Sequence, residues 1–274
     1  MVFHLSEAVN MAKSMVIRAG GLLKHAASRE IACNYKNHDH RDLLTEFDER
    51  VQSLVIAELK KNYPDHKFIS EEKHNNGDLT GYVWILDPID GTTNFVCFKK
   101  NFSISLALYK DGKPVFGIVY DAVNDDLYQG ISGEGAYLNN KRINNLTRIP
   151  LKNCIINISL NSIEELYNKY RIKIFNLAKD VRGHRYFGAA SLELCKIATG
   201  ELNIYISTNL KSWDFAAAGI ILNEVGGYYG GIDHMKLDLT GKPTALVACS
   251  SKELYHVVLE KVFQQPSLYK GTRE

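Results

Sequence analysis

The run Trp84-Ile85-Leu86-Asp87-Pro88-Ile89-Asp90-Gly91-Thr92-Thr93-Asn94-Phe95 changes character at its midpoint. Its first residues are apolar and strand-forming, and its last are small and polar, the kind that open a helix. Two carboxylates, Asp87 and Asp90, flank the switch. Pro88 fixes φ and has no N–H, so a regular central strand is expected to end there. Gly91 lets backbone approach a ligand closely. The amides of Thr92, Thr93 and Asn94, at a helix start, are suited to an anion. Acids for a cation thus stand beside amides for a phosphate, the pairing used in Mg²⁺-assisted phosphoryl chemistry. Singly, Asp-Pro and Asp-Gly are ordinary turn dipeptides and Thr-Thr-Asn an ordinary cap. The chemistry is read from the whole run.

The surrounding chain has 274 residues, 45% hydrophobic and 23% charged, enough for a core that needs no disulfides. A net charge of +2, with both signs mixed, gives no sign of a nucleic-acid arm or a polybasic membrane patch. No stretch has the length of a bilayer span, and the first twenty residues lack a continuous apolar region, so no signal peptide is expected. Cys33, Cys97, Cys154, Cys195 and Cys249 are odd in number and scattered, and read as mostly buried, reduced thiols of a cytoplasmic protein.

Apolar spacing predicts a helix over Leu5–His25, with Ser6 near its start, and a second over Leu43–Tyr63, capped by Thr45. Ala32–His40 reads as a polar loop in which His38 and His40 are more simply solvated than metal-bound. Strands follow at Lys67–Ser70, Val83–Leu86, Phe102–Tyr109, Val115–Tyr120, Leu127–Ile131 and Ala136–Leu138. The texture then changes. Strands at Ile155–Leu160, Val181–Arg185, Asn203–Ile206 and Ala245–Cys249 alternate with helices at Ile163–Leu177, Gly188–Thr199, Phe215–Val225 and Glu253–Phe263. The pattern is α+β, with a soft division into residues 1–143, bearing the acid and phosphate run, and 144–274, bearing Asp214 and the substrate side.

Candidate metal donors are Glu71 at a strand end, Asp87, the Ile89 carbonyl, Asp90, and Asp214 at a helix start. An all-oxygen set suits Mg²⁺ or Mn²⁺ rather than Zn²⁺. Nothing resembles a Ser-His-Asp or Cys-His nucleophile. Asp90→Asn is expected to abolish activity with little effect on folding.

The motifs Leu43-Leu-Thr-Glu-Phe-Asp48, Glu71-Glu72, Asp87-Pro-Ile-Asp-Gly-Thr-Thr-Asn-Phe95, Trp213-Asp214-Phe-Ala-Ala-Ala and Gly226-Gly227 resemble those of the inositol monophosphatase family, in its bacterial SuhB-like branch. The resemblance runs through most of the chain. It implies a layered αβαβα sandwich of the inositol monophosphatase and fructose-1,6-bisphosphatase type, a homodimer, and a lithium-sensitive, Mg²⁺-dependent phosphomonoesterase for a small sugar or polyol phosphate. By the same resemblance Glu71, Asp87 and the Ile89 carbonyl hold one metal, and Asp87, Asp90 and Asp214 a second. A third, weaker ion lies near Glu71. Glu71 and Thr92 orient the attacking water, with Asp48 bonded to Thr92, while the Gly91 and Thr92 amides hold phosphate. Alcohol recognition falls to Asp90, Gly188, Ala189, Ala190, Ser207 and Asp214.

Two departures touch the alcohol. Where inositol-processing members carry a glutamate ahead of Trp-Asp, this chain has Ser207, and the Gly-Ser/Thr-Ala-Ala stretch reads Gly188-Ala189-Ala190-Ser191. Losing a charged acceptor costs about 1.5–3 kcal/mol per hydrogen bond. Arg182, Arg185, Lys211 and Tyr205 lie nearby in sequence. Fructose-1,6-bisphosphate, histidinol phosphate, NADP and 3′-phosphoadenosine nucleotides stay open as substrates. A regulatory protein associating with the transcription machinery or rRNA is the reading from another class. The full set of expected ligand positions argues for the enzyme.

Overall fold

The computed structural model describes residues 3–36, 39, 43–72, 77–232 and 236–263. Helix α1 (Leu5–Ala27) buries Ala8, Ala12, Met15, Val16, Ala19 and Leu23 along one stripe. It starts before Ser6 and has no side-chain cap. The expected loop after it contains β1 (Asn34–Tyr35), which pairs with β2 (Leu43–Leu44). His38 and His40 lie outside the described residues. The second helix is therefore shorter than its apolar pattern: α2 spans Glu46–Asn62, with Thr45 as its N-cap.

Strands β3 (Lys67–Ser70) and β4 (Tyr82–Asp90) pair in parallel. Helix α3 (Thr92–Cys97) follows, then β5 (Ser103–Lys110), β6 (Lys113–Asp121), β7 (Asp126–Ile131), β8 (Gly135–Leu138) and β9 (Lys141–Arg142). Together β3–β9 form a seven-stranded sheet in chain order. Strand β4 outlasts the proline expected to end it. Asp87 pairs with Ser105 and Asp90 with Ser103, so one extra residue bulges out around Pro88. A bulge leaves a residue without a ladder partner, which a proline tolerates.

The second sheet runs β11-β10-β12-β14-β13, built from β10 (Ile155–Ile158), β11 (Gly183–Arg185), β12 (Ile204–Leu210), β13 (Tyr228–Gly231) and β14 (Thr244–Cys249). Its helices are α4 (Leu160–Tyr170), α5 (Ala190–Ala198), α6 (Ser212–Asn223) and α7 (Lys252–Phe263). The helix expected over Ile163–Leu177 stops at Arg171, which takes a left-handed φ of 57° and closes onto the Leu166 carbonyl. A 3-10 turn, Ile174–Lys179, continues the chain. Strand β13 was unexpected, because glycine makes up half of it.

Helices α1 and α2 cover one face of the first sheet, α5 and α6 fill the space between the sheets, and α4 and α7 cover the outer face of the second. The result is the αβαβα sandwich, with a hydrophobic cluster in each of its three apolar contact zones. Strand β5 shows why the middle layer sits so close. Ile104, Leu106 and Leu108 face α1 and α2. The alternate residues are small or hydroxylated: Ser105 Oγ donates to the Trp213 carbonyl at 3.1 Å and Tyr109 Oη to that of Ala216 at 3.2 Å. Helix α6 is apolar around its whole circumference, as a helix between two sheets must be. A Cβ on Gly117 would come within 2.4 Å of the Ala217 carbonyl oxygen, so that glycine sets the approach. Both halves of the chain thus share the central core, and the start of α6 is pressed against the ends of β4 and β5. Among the described residues no helix is long and apolar enough to cross a membrane.

Candidate active site

The bulge in β4 turns Asp87 and Asp90 to different tasks. Asp87 is buried, and its Oδ1 accepts the Ile89 N–H at 3.0 Å. Burial raises its pKa well above the carboxylate range, and the charges of Glu71, Asp90, Asp214 and Asp48 push it further. Asp90 accepts the Ala190 N–H at 3.1 Å and both the N–H and hydroxyl of Ser191, at 2.7 and 2.5 Å. It therefore serves as the anion at the start of α5 and ties the two halves together. Those bonds lower its pKa, but burial dominates and holds it at about 6. Folding should consequently suffer on Asp90→Asn, contrary to expectation, because an amide nitrogen would confront donors.

Asp214 is not the N-cap of α6 but its third residue, with Oδ2 accepting the Lys211 N–H at 2.7 Å. Burial pushes its pKa well up, and Asp90 and Glu71 add to the effect against the Lys211 hydrogen bond. Glu71 follows β3 and pairs with the Lys36 ammonium at 2.8 Å, which also reaches Glu72 at 2.5 Å. Burial alone would lower the Lys36 pKa, yet the two glutamates hold it above its ordinary value. Burial places Glu72 at about 7.

Asp48 links a cap to the chemistry. Its Oδ2 accepts the Thr45 N–H and hydroxyl at 2.8 and 2.7 Å, and its Oδ1 faces Thr92 Oγ1 at 3.4 Å. The Thr92 hydroxyl also meets the Ile89 carbonyl at 3.0 Å. Burial raises Asp48 to about 6. Gly91 caps α3 with φ 87°, and a Cβ there would lie 3.0 Å from Ala189 Cβ and 3.2 Å from the Gly188 carbonyl oxygen. Only glycine accepts that conformation and that crowding together.

A cavity of about 720 Å³ brings together Glu71, Asp90, Asp214, Ser207 and the Gly188–Ala190 stretch. Gly91 and Thr92 open onto an adjoining depression of about 660 Å³, which shares Tyr186 and Gly188 with it. Lys211 and Tyr205 line the larger cavity as their sequence position suggested. Arg182 and Arg185 instead bond to Asn153 and to the His184 carbonyl. The Ser191 hydroxyl is fully buried against Asp90 and Ser103 and does not line the cavity.

Sequence reasoning missed Lys36, Ser191 and Glu193. Lys36 sits in a segment with no periodicity. Glu193 is buried, and its Oε1 accepts the Phe187 and Gly188 N–H groups at 2.9 and 2.8 Å. An acid on the buried face of an otherwise apolar helix was the signal that could have found it.

Among the described residues no three acid, thiol or imidazole side chains already enclose a metal. Asp90, Asp214 and Glu71 are held instead by Ser191, the Lys211 N–H and the Lys36 ammonium. The donor set still fits a hard divalent cation: it is all oxygen, buried at Asp87 and Asp90 and half-buried at Glu71 and Asp214, mutually repelling and already drawing in an ammonium. Mg²⁺ keeps several waters and needs no all-protein cage.

The inositol monophosphatase family's model matches residues 4–267. The chain is 35% identical over 232 residues to the inositol-1-monophosphatase of Bacillus subtilis (strain 168), covering 83% of this chain and 86% of that protein. It is 34% identical over 221 residues to a putative Nus factor SuhB of Neisseria meningitidis serogroup A, covering 80% and 85%. Its fold superposes with a TM-score of 0.85 on an IMPase/NADP phosphatase complexed with Mg²⁺ and phosphate, at 26% identity and over 96% and 97% of the two chains. A match over nearly the whole length makes the chain a member of the inositol monophosphatase family of phosphatases.

Proposed function

We propose that this protein is a Mg²⁺-dependent phosphomonoesterase acting on a small sugar or polyol phosphate. The observation that carries the reading is the meeting of Glu71, Asp90 and Asp214 in one cavity, with Asp87 buried behind them. Glu71, Asp87 and the Ile89 carbonyl would hold one Mg²⁺ or Mn²⁺, Asp87, Asp90 and Asp214 a second, and Glu71 would help with a weaker third. Bound there, the ions would supply positive charge for the phosphate and a water of lowered pKa. The chain does the rest. Glu71 and the Thr92 hydroxyl, itself fixed by the Ile89 carbonyl and Asp48, would orient the attacking water. The amides of Gly91 and Thr92 hold phosphate oxygens. Gly188, Ala189, Ala190 and Ser207 bound the alcohol, between Asp90 and Asp214. Lithium sensitivity, a homodimer and a cytoplasmic location go with this reading.

Phosphate release from a panel of sugar phosphates, with Mg²⁺ and with chelator, tests it. Turnover that requires the metal is the expected result. Absence of turnover on every ester at millimolar Mg²⁺ would favour a regulatory protein instead.

A further inference from the structure

Helix α4 begins at Ser159, whose Oγ accepts the Ser162 N–H at 3.0 Å, and packs on β12. Asn161, Glu164, Glu165 and Asn168 recur at steps of three, one and three, a single polar face of the helix. All four residues line the large cavity that Gly188–Ala190 also line; Asn161, Glu164 and Asn168 are solvent-exposed and Glu165 is the least exposed of the four. Its Oε2 accepts the hydroxyl of the buried Thr208 at 2.7 Å, one residue beyond Ser207 on β12. Its Oε1 lies 3.5 Å from Lys169, and the carboxylate is 37% exposed. A carboxylate offers about four acceptor sites, so this one, pinned by Thr208, keeps capacity for further donors.

We infer that Glu165 is the alcohol-specificity residue of this site: it accepts hydroxyl hydrogens of a polyhydroxy alcohol whose phosphate sits at the acid end. The inference rests on the phosphatase reading above and narrows it. Among the described lining residues Lys211 is the only lysine or arginine, and its ammonium lies over the Trp213 ring at 5.2 Å. A second phosphate at the α4 end would therefore face Glu164 and Glu165 and be repelled. Uncharged hydroxyls would find acceptors. The site accordingly selects monophosphates of neutral polyols over bisphosphates and nucleotide phosphates. Sequence position alone hides this, because the acid comes from a helix some forty residues before Ser207.

The test compares myo-inositol 1-phosphate with cyclohexyl phosphate, the same ring without hydroxyls, in the wild-type protein and in Glu165→Gln with Mg²⁺ present. The wild type should prefer the hydroxylated ester in kcat/KM by about tenfold or more, consistent with one charge-assisted hydrogen bond. Glu165→Gln should erase most of that preference through KM, leaving cyclohexyl phosphate within about twofold. Thr208→Val, which frees the carboxylate, should raise the same KM without altering charge. An unchanged preference in Glu165→Gln, an equal fall on both esters, or a wild type indifferent to the hydroxyls would overturn the inference while leaving the phosphatase reading intact. No turnover of either ester by the wild type would also overturn the inference, and the sugar-phosphate panel would then decide the phosphatase reading by itself.

Discussion

At the acid end of the site Asp87, Asp90 and Gly91 come from a single run of the chain, whereas the other end is built from separate segments, Glu165 on α4 and Ser207 on β12. The two ends also differ in energy. The first gathers buried acids whose pKa values are raised by burial and by one another, so it destabilises the fold at neutral pH. The second holds the half-exposed Glu165 carboxylate between the Thr208 hydroxyl and the Lys169 ammonium, with Glu164 beside it. Strain and repulsion are thus concentrated where the chemistry is read, and tolerance where the alcohol is read.

The sharpest way to break this contrast is Asp87→Asn. Turnover should fall by about a thousandfold, the upper range for removing one preorganised electrostatic contact. The metal-free variant should nonetheless melt at a higher temperature than the metal-free wild type, because a repelled buried charge is gone. Mg²⁺ should then raise the melting temperature of the wild type far more than that of the variant, since only binding to the native state stabilises it. Thermal melts of both proteins with and without Mg²⁺ read all four conditions. A variant that melts lower without metal would show that Asp87 holds the bulge more than it strains it.

A smaller effect is expected at Gly91. Gly91→Ala must hold φ near 87° and place a Cβ 3.0 Å from Ala189 and 3.1 Å from the Asn101 carbonyl oxygen. Left-handed strain and crowding should cost about 1–3 kcal/mol, measurable by urea unfolding. Turnover should also drop, because the amides of residues 91 and 92 move with the shift. Full activity in a destabilised variant would detach those amides from phosphate binding.

The contrast also explains what the sequence disclosed. The β4–α3 run was legible, apart from the bulge that carries β4 past Pro88, because its strand, turn and helix start depend on neighbours a few residues away. The antiparallel β4–β8 meander was legible for the same reason, since its turns carry their own signals, such as Lys110-Asp111-Gly112-Lys113, whereas the two-residue β9 lay where a turn was expected. Helix α4 was misjudged because Arg171 adopts a left-handed turn that sequence normally reserves for glycine. β13 was missed because its glycines carry no strand propensity and its pairing with β14 is tertiary. Lys36 and Ser191 were hidden for a similar reason. Their partners, Glu71 and Asp90, stand 35 and 101 residues away, and no local pattern records such a pairing.

Glu193 joins the two ends, and a change there should have the gentlest effect on turnover. Its Oε1 holds the Phe187 and Gly188 N–H groups, the strip that separates the cavity from the phosphate-side depression. Burial raises it from about 4.5 to about 7, against the two backbone donors and the Asn157 amide, with Asp90 adding repulsion. The phenols of Tyr186 and Tyr205 also face it. With the folded-state pKa above the unfolded one, the native protein binds the extra proton between pH 4.5 and 7. Its contribution is then fullest below pH 4.5, declines as pH rises to about 7 and is flat beyond. Glu193→Gln keeps an oxygen for both N–H groups and never ionises. At a fixed Mg²⁺ concentration, urea unfolding should show the variant close to the wild type at pH 5 and more stable at pH 8 by up to about 3 kcal/mol, at 1.36 kcal/mol per pKa unit. Activity should change by no more than a few-fold, since the strip keeps its place. An identical pH slope in both proteins would mean that Glu193 stays ionised within the fold, and the acid burden would then lie wholly at the Asp87 end.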